Sequence, residues 1–148
     1  TPDCRRELAA VLAELAATDW ALAYLGHRIA AEKIPGPDLA QTSHWRVLPA
    51  QTGIETTHAM LIHQRAFGPL VNYLEQMMAR PAGDPRGGPM HVDGAYSWFR
   101  RDHPDLLTLV TPRQYVLQRA SKSDIAPPSW KDRLPLVGML RALRNRLP

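Results

Sequence analysis

Apolar residues recur along the first part of the chain at helical spacing. Leu8, Leu15, Leu22 and Ile29 fall seven residues apart, with Val11 and Leu25 on the neighbouring rung and Thr18 as a polar break. A stripe of this kind packs against other helices. Thr1 can cap the segment and Pro2 sits where a missing N–H costs nothing. Alanines fill much of the remainder, and Pro35-Gly36-Pro37 ends the run. The pattern predicts one helix over residues 2–34, with its stripe in a bundle core rather than in a dimer seam. Residues 38–49 follow as a short helix capped by Asp38 or as an ordered loop. Trp45 there either plugs the end of a bundle or, next to His44 and Arg46, stacks on a base.

A second apolar series runs through Ile54, Leu61, Ile62, Leu70, Val71, Leu74, Met77 and Met78, predicting a long helix over residues 54–80. Gly68-Pro69 in its middle should kink or break it. Pro81 to Pro89 is a glycine- and proline-rich exposed loop. Residues 92–103 form the next helix, capped by Asp93 and stopped by Pro104. Leu106, Leu107, Leu109 and Val110 are too short a run to separate a helical turn from a strand. Thr111-Pro112-Arg113-Gln114 looks like a capping box, opening a helix to about Ser123. A last helix over about 130–147 carries Leu136, Leu140, Leu143 and Leu147 on one face. The expected fold is therefore all-α: a single bundle of five or six helices, one domain over residues 1–148.

Composition adds a compartment and a partner. At 148 residues, 45% of them hydrophobic, the chain can bury a core without disulfide or metal. Its one cysteine, Cys4, cannot form an internal disulfide, which suits a reducing compartment. No apolar run is long enough to span a bilayer, and no basic start precedes an apolar block. A cytoplasmic protein with no membrane partner is expected. Charge is distributed unevenly. Residues 113–148 hold eight basic and two acidic side chains, a net +6 against +4 for the whole chain, which leaves −2 for residues 1–112. Such segregation points to an anionic partner, most often nucleic acid.

Catalytic and metal patterns are weak by comparison. Of the histidines at 27, 44, 58, 63, 91 and 103, none pair at i, i+4 on a helix. Glu55 and His58 stand at i, i+3 with no second pair to complete a site. There is no G-x-S-x-G elbow and no P-loop, so neither cofactor nor metal is expected. What remains is non-catalytic contact with nucleic acid backbone through Arg100, Arg101, Arg113, Arg119, Lys122, Lys131, Arg133, Arg141, Arg144 and Arg146.

In size, helix content and charge the chain resembles the small helical-bundle subunits of CRISPR effector ribonucleoprotein complexes, which serve antiviral defence. That resemblance implies a role beside other protein subunits, touching a guide–target duplex or a displaced strand through basic side chains. A second reading comes from Arg86-Gly-Gly-Pro-Met-His91, whose R-x4-H spacing is similar to that of HEPN-family helical ribonucleases, with Leu61 to Phe67 echoing a further stretch. It implies a metal-independent ribonuclease using Arg86 and His91. A third reading is a protein-interaction subunit that makes no nucleic-acid contact.

Overall fold

The structure, a computed structural model, describes residues 2–29, 34 and 44–117. Contacts gather residues 1–117 into one unit, and that unit is described by itself. Its elements run α1 (Pro2–Ala16), β1 (Leu22–Gly26), β2 (Arg46–Val47), β3 (Ala59–Ile62), α2 (Gln64–Ala79), α3 (Val92–Asp102) and β4 (Thr108–Val110). The fold is α/β rather than an all-α bundle: among the described residues there are three helices and a four-stranded mixed sheet in the order β2-β4-β1-β3. β1 pairs antiparallel with β3 and parallel with β4, while β2 runs antiparallel to β4.

The expected helix over residues 2–34 ends at Ala16. Its last turn tightens, with the N–H groups of Ala17 and Thr18 donating to the carbonyls of Glu14 and Leu15. The Thr18 hydroxyl also takes the Glu14 carbonyl, at 3.0 Å. Beyond Asp19 the chain becomes β1, and all five of its residues are buried. Every position is apolar because both faces of this central strand are covered. Leu22 and Tyr24 meet α2 and α3 on one side. Ala23 and Leu25 meet Val11 and Leu15 of α1, with Trp45 and Leu109, on the other. Leu22 thus leaves the seven-residue series that Leu8 and Leu15 keep.

Two further expectations change for related reasons. In the segment expected as one helix over 54–80, residues 59–62 form β3, and α2 begins only after His63. The His63 ring accepts the N–H of Arg65 and caps the helix. α2 then continues through Pro69, which is exposed, so water can take the carbonyl that the proline leaves without a donor. In the run at 106–110, residues 108–110 form a strand, β4. Residues 111–117 are not helical. They lie along β1 instead, with Thr111 donating to the Tyr24 carbonyl and Tyr115 and Val116 to that of Leu25. The rest of the helix expected there, the helix at 130–147 and the first half of the segment at 38–49 fall outside the described residues; in the second half, Arg46–Val47 form β2. Of that last segment, Trp45 is fully buried, its indole N–H donating to the Val11 carbonyl at 3.0 Å. It plugs the core under α1. The helix expected at 92–103 is α3, but His91 rather than Asp93 occupies its N-cap. Among the described residues, no helix is long and apolar enough to cross a membrane.

Candidate functional site

α2 carries two apolar stripes, and only one of them is covered. Ala66, Leu70, Tyr73 and Met77 recur at i, i+4, i+7 and i+11 and are buried against the sheet and α3. Phe67, Val71, Leu74 and Met78 repeat the same spacing one residue on. At 3.6 residues per turn that sets them about 100° around the helix from the first stripe. Phe67 and Val71 are each 53% exposed and Met78 is 70% exposed. An exposed apolar face of this extent, built on a regular helix, needs a reason other than the core.

The outer stripe runs into a cleft of about 220 Å³. Leu74, Met77 and Met78 form one wall. Ala95 and Val92 of α3 form the other, and Gly88 to Met90 close the end. The α2–α3 loop is shaped to do this. Asp84 and Gly87 donate their N–H groups to Pro81 and Asp84, and the Arg80 guanidinium holds the carbonyls of Arg86 and Gly87 at 2.5 and 3.1 Å. Gly87 has φ +91°, and a Cβ there would stand 2.8 Å from Trp98 and 3.1 Å from Met77. A glycine is therefore required both by the backbone and by the space. Every described side chain in the lining is apolar, three of them methionines. Such a lining suits an adaptable apolar group. Glu75 borders the outer stripe, exposed and without a hydrogen-bond or ion-pair partner among the described residues.

The polar groups gathered under the sheet have structural work. Arg100 is 1% exposed; its Nε donates to Thr108 Oγ1 at 3.1 Å, and its Nη1 and Nη2 donate to the carbonyls of Thr52 and Pro49 at 2.9 and 2.8 Å. It pins the 49–52 turn to α3 and β4. Burial lowers its pKa, with Tyr24 acting the other way. The Tyr24 hydroxyl is buried without a hydrogen-bond partner among the described residues, and burial pushes it up to about 12. Thr56, at φ +75°, donates its N–H to Asp93 Oδ2, and its hydroxyl is hydrogen-bonded to His58 Nδ1 at 3.0 Å. The other nitrogen of His58 donates to the Val116 carbonyl, across a gap that a side chain at Gly26 would fill. These bonds tie the 53–58 loop to α3 and to residues 111–117.

Three of the ten basic residues expected at a nucleic-acid surface are described. Arg100 lies inside the fold. Arg101 stacks over Trp98 with its guanidinium carbon 3.9 Å from the ring centroid, and its Nε donates to Asp102 at 3.0 Å. Arg113 donates to Glu7 at 2.6 Å. Each surface arginine of the three thus meets a carboxylate of its own chain. Arg119, Lys122, Lys131, Arg133, Arg141, Arg144 and Arg146 lie outside the described residues. Of the ribonuclease pair, Arg86 is held in a turn by Asp84, whose carboxyl the guanidinium lowers to about 2. His91 is the N-cap of α3 and makes no side-chain cap bond. The motif thus spans a turn and a helix start rather than one helical face. Glu55 and His58 do not share a helix. Among the described residues no three His, Cys, Asp or Glu side chains gather as metal ligands. The outer stripe of α2 is not among the residues expected to carry function, although Phe67, Val71, Leu74 and Met78 stand at helical spacing next to the buried set.

No protein-family model matches the chain, and no similar curated protein or solved structure was found.

Proposed function

We propose that this protein is a non-catalytic interaction subunit, and that another protein seats on the outer face of α2. The observation that carries the reading is the continuity of the exposed Phe67–Val71–Leu74–Met78 stripe with the methionine-lined cleft. Interfaces are centred on apolar, aromatic and methionine side chains, with charged groups kept to the rim. The test is affinity purification of the tagged full chain from its native cells, beside a Val71→Lys, Met78→Lys double variant. A stoichiometric protein retained by the wild type and lost by the folded variant supports the reading. Equal retention by both overturns it.

A second reading is favoured by charge. Residues 118–148 hold seven basic and two acidic side chains, net +5, whereas residues 1–117 hold eleven and twelve, net −1. Backbone contact with nucleic acid, as in a ribonucleoprotein subunit, would then belong to residues 118–148. Those are the candidates Arg119 to Arg146, not Arg100, Arg101 or Arg113. The resemblance to CRISPR small subunits loses its all-helical component with the α/β fold and keeps its size and charge. Nucleic acid that co-purifies at low salt and is lost with Arg141→Glu plus Arg144→Glu supports this reading. Protein free of nucleic acid at low salt ends it.

A further inference from the structure

We propose that the occupant of the α2 face is a cationic amphipathic helix of another protein, which seats a bulky apolar side chain in the cleft and sets a lysine or arginine against Glu75. This rests on the reading that the face is a protein-interaction surface, and it names the partner's chemistry.

The backbone argument comes first. Apart from the one carbonyl that Pro69 leaves without a donor, α2 offers its partner side chains only, since the N–H and C=O groups along the rest of its length are spent within the helix. An extended segment buried on that face would lose water from its backbone and gain no hydrogen bonds in return. A helix satisfies its own backbone and presents residues at i, i+4, i+7 and i+11, the spacing of the stripe it meets. From Phe67 to Met78 that stripe runs about 16 Å at 1.5 Å per residue, three turns of a partner helix.

The cleft sets the size of the anchor. An apolar cavity of roughly 150 Å³ takes a benzene ring. One of about 220 Å³, walled by Met77, Met78 and Met90, takes a phenylalanine, leucine or tryptophan side chain.

Charge then separates a foreign helix from a second copy of this chain. Bordering the outer stripe on its uncovered side are Gln64, Gly68, Glu75 and Ala79, all exposed. Glu75 is the one charged group among them. The nearest cations of the element are committed elsewhere: Arg65 to Asp19, and Arg80 to the loop carbonyls and Gln76. A second copy paired antiparallel would match Phe67 with Met78 and Val71 with Leu74. It would bring a second Glu75 within about 7.5 Å along the axis and, from the described residues of α2, no uncommitted cation to either. Two like charges at a drying seam oppose association, whereas a lysine or arginine there favours it.

The test uses the full chain and two labelled synthetic peptides in fluorescence anisotropy. Both carry leucines at i, i+4 and i+11 and a tryptophan at i+7; one has lysines flanking that stripe, the other glutamates. The lysine peptide is expected to bind wild type about threefold to fivefold more tightly than the glutamate peptide. Glu75→Lys is expected to reverse that order, and Val71→Lys to abolish binding of both. Equal affinity of the two peptides, or an order unchanged by Glu75→Lys, overturns the cationic assignment and leaves the interaction surface standing. Self-association that Val71→Lys removes, or binding to phosphatidylglycerol vesicles in place of the peptides, overturns the proposal in favour of another occupant. Failure of both peptides to bind overturns it outright; the separate purification with the Val71→Lys, Met78→Lys variant then decides whether the surface reading falls too.

Discussion

Arg100→Met replaces a buried guanidinium by an apolar side chain of similar length. The guanidinium makes three bonds, to Thr108 Oγ1 and to the carbonyls of Thr52 and Pro49, at 2.8 to 3.1 Å. Among the described residues it has no carboxylate partner, and those three bonds are what offset its desolvation. Hydrogen bonds to charged groups contribute about 1.5–3 kcal/mol each, and the lower end applies where a carbonyl can recover water after the donor has gone. Thr52 and Pro49 are on such a half-buried turn. The sum is a loss of about 3–5 kcal/mol, a large part of the roughly 5–15 kcal/mol that keeps a domain folded. Arg100→Lys, which keeps the charge but cannot reach all three acceptors, is expected to lose about half as much. Urea denaturation of the full chain, followed by tryptophan fluorescence and circular dichroism, reads both values. A surface arginine kept for a polyanion would cost under about 0.5 kcal/mol when replaced. Arg100→Met within about 1 kcal/mol of wild type would therefore refute the structural role argued for Arg100.

Other consequences can be measured on the same preparation. Tyr24 is raised from 10.0 to about 12 by burial, so the unfolded chain ionises it first. The stabilisation is fully present below pH 10 and is lost as pH climbs towards 12, by about 1.4 kcal/mol per pH unit and about 2.7 kcal/mol in all. Tyr24→Phe should flatten that alkaline loss, with little change at pH 7 because the hydroxyl has no partner among the described residues; an unchanged alkaline slope contradicts the assignment. Gly87→Ala forces a Cβ into a +91° backbone and against Trp98, and about 1–3 kcal/mol of stability should go with it. Thermal melts of that variant matching wild type would show that the loop has another conformation open to it. Val71→Lys and Met78→Lys alter exposed positions and are expected to stay within about 0.5 kcal/mol of wild type in the same urea series; a larger loss would mean that the outer stripe already has a structural partner.

How far the chain could be read from its pattern depended on where each element found its partners. α1 to Ala16 and the span of α3 were legible, because periodicity and the stop at Pro104 are local, although the cap of α3 is His91 and not Asp93. β1 was not. Its residues pair with Ile62 and Thr108, forty and more positions away, and burial on both faces erases the alternation that marks a strand. The spacing of Leu8 and Leu15 continued by coincidence into Leu22. β3 was read as the start of α2 because its boundary is set by His63, a residue type that seldom caps a helix. β2 and β4, two and three residues long, are too brief to show a period. The Arg100-Arg101 pair shows the same limit at the surface. Successive helical residues point about 100° apart, so one guanidinium went to the core and the other to Trp98. Local charge does not say which.

Cross-linking from α2 in native cells tests the central claim most directly. A photoreactive p-benzoylphenylalanine is placed at Val71, on the outer stripe, and separately at Gln76, on the opposite side of the helix. A discrete adduct with another protein from position 71, absent from position 76, is the expected result. No adduct from position 71, or the same products from both positions, would contradict a partner seated on that face.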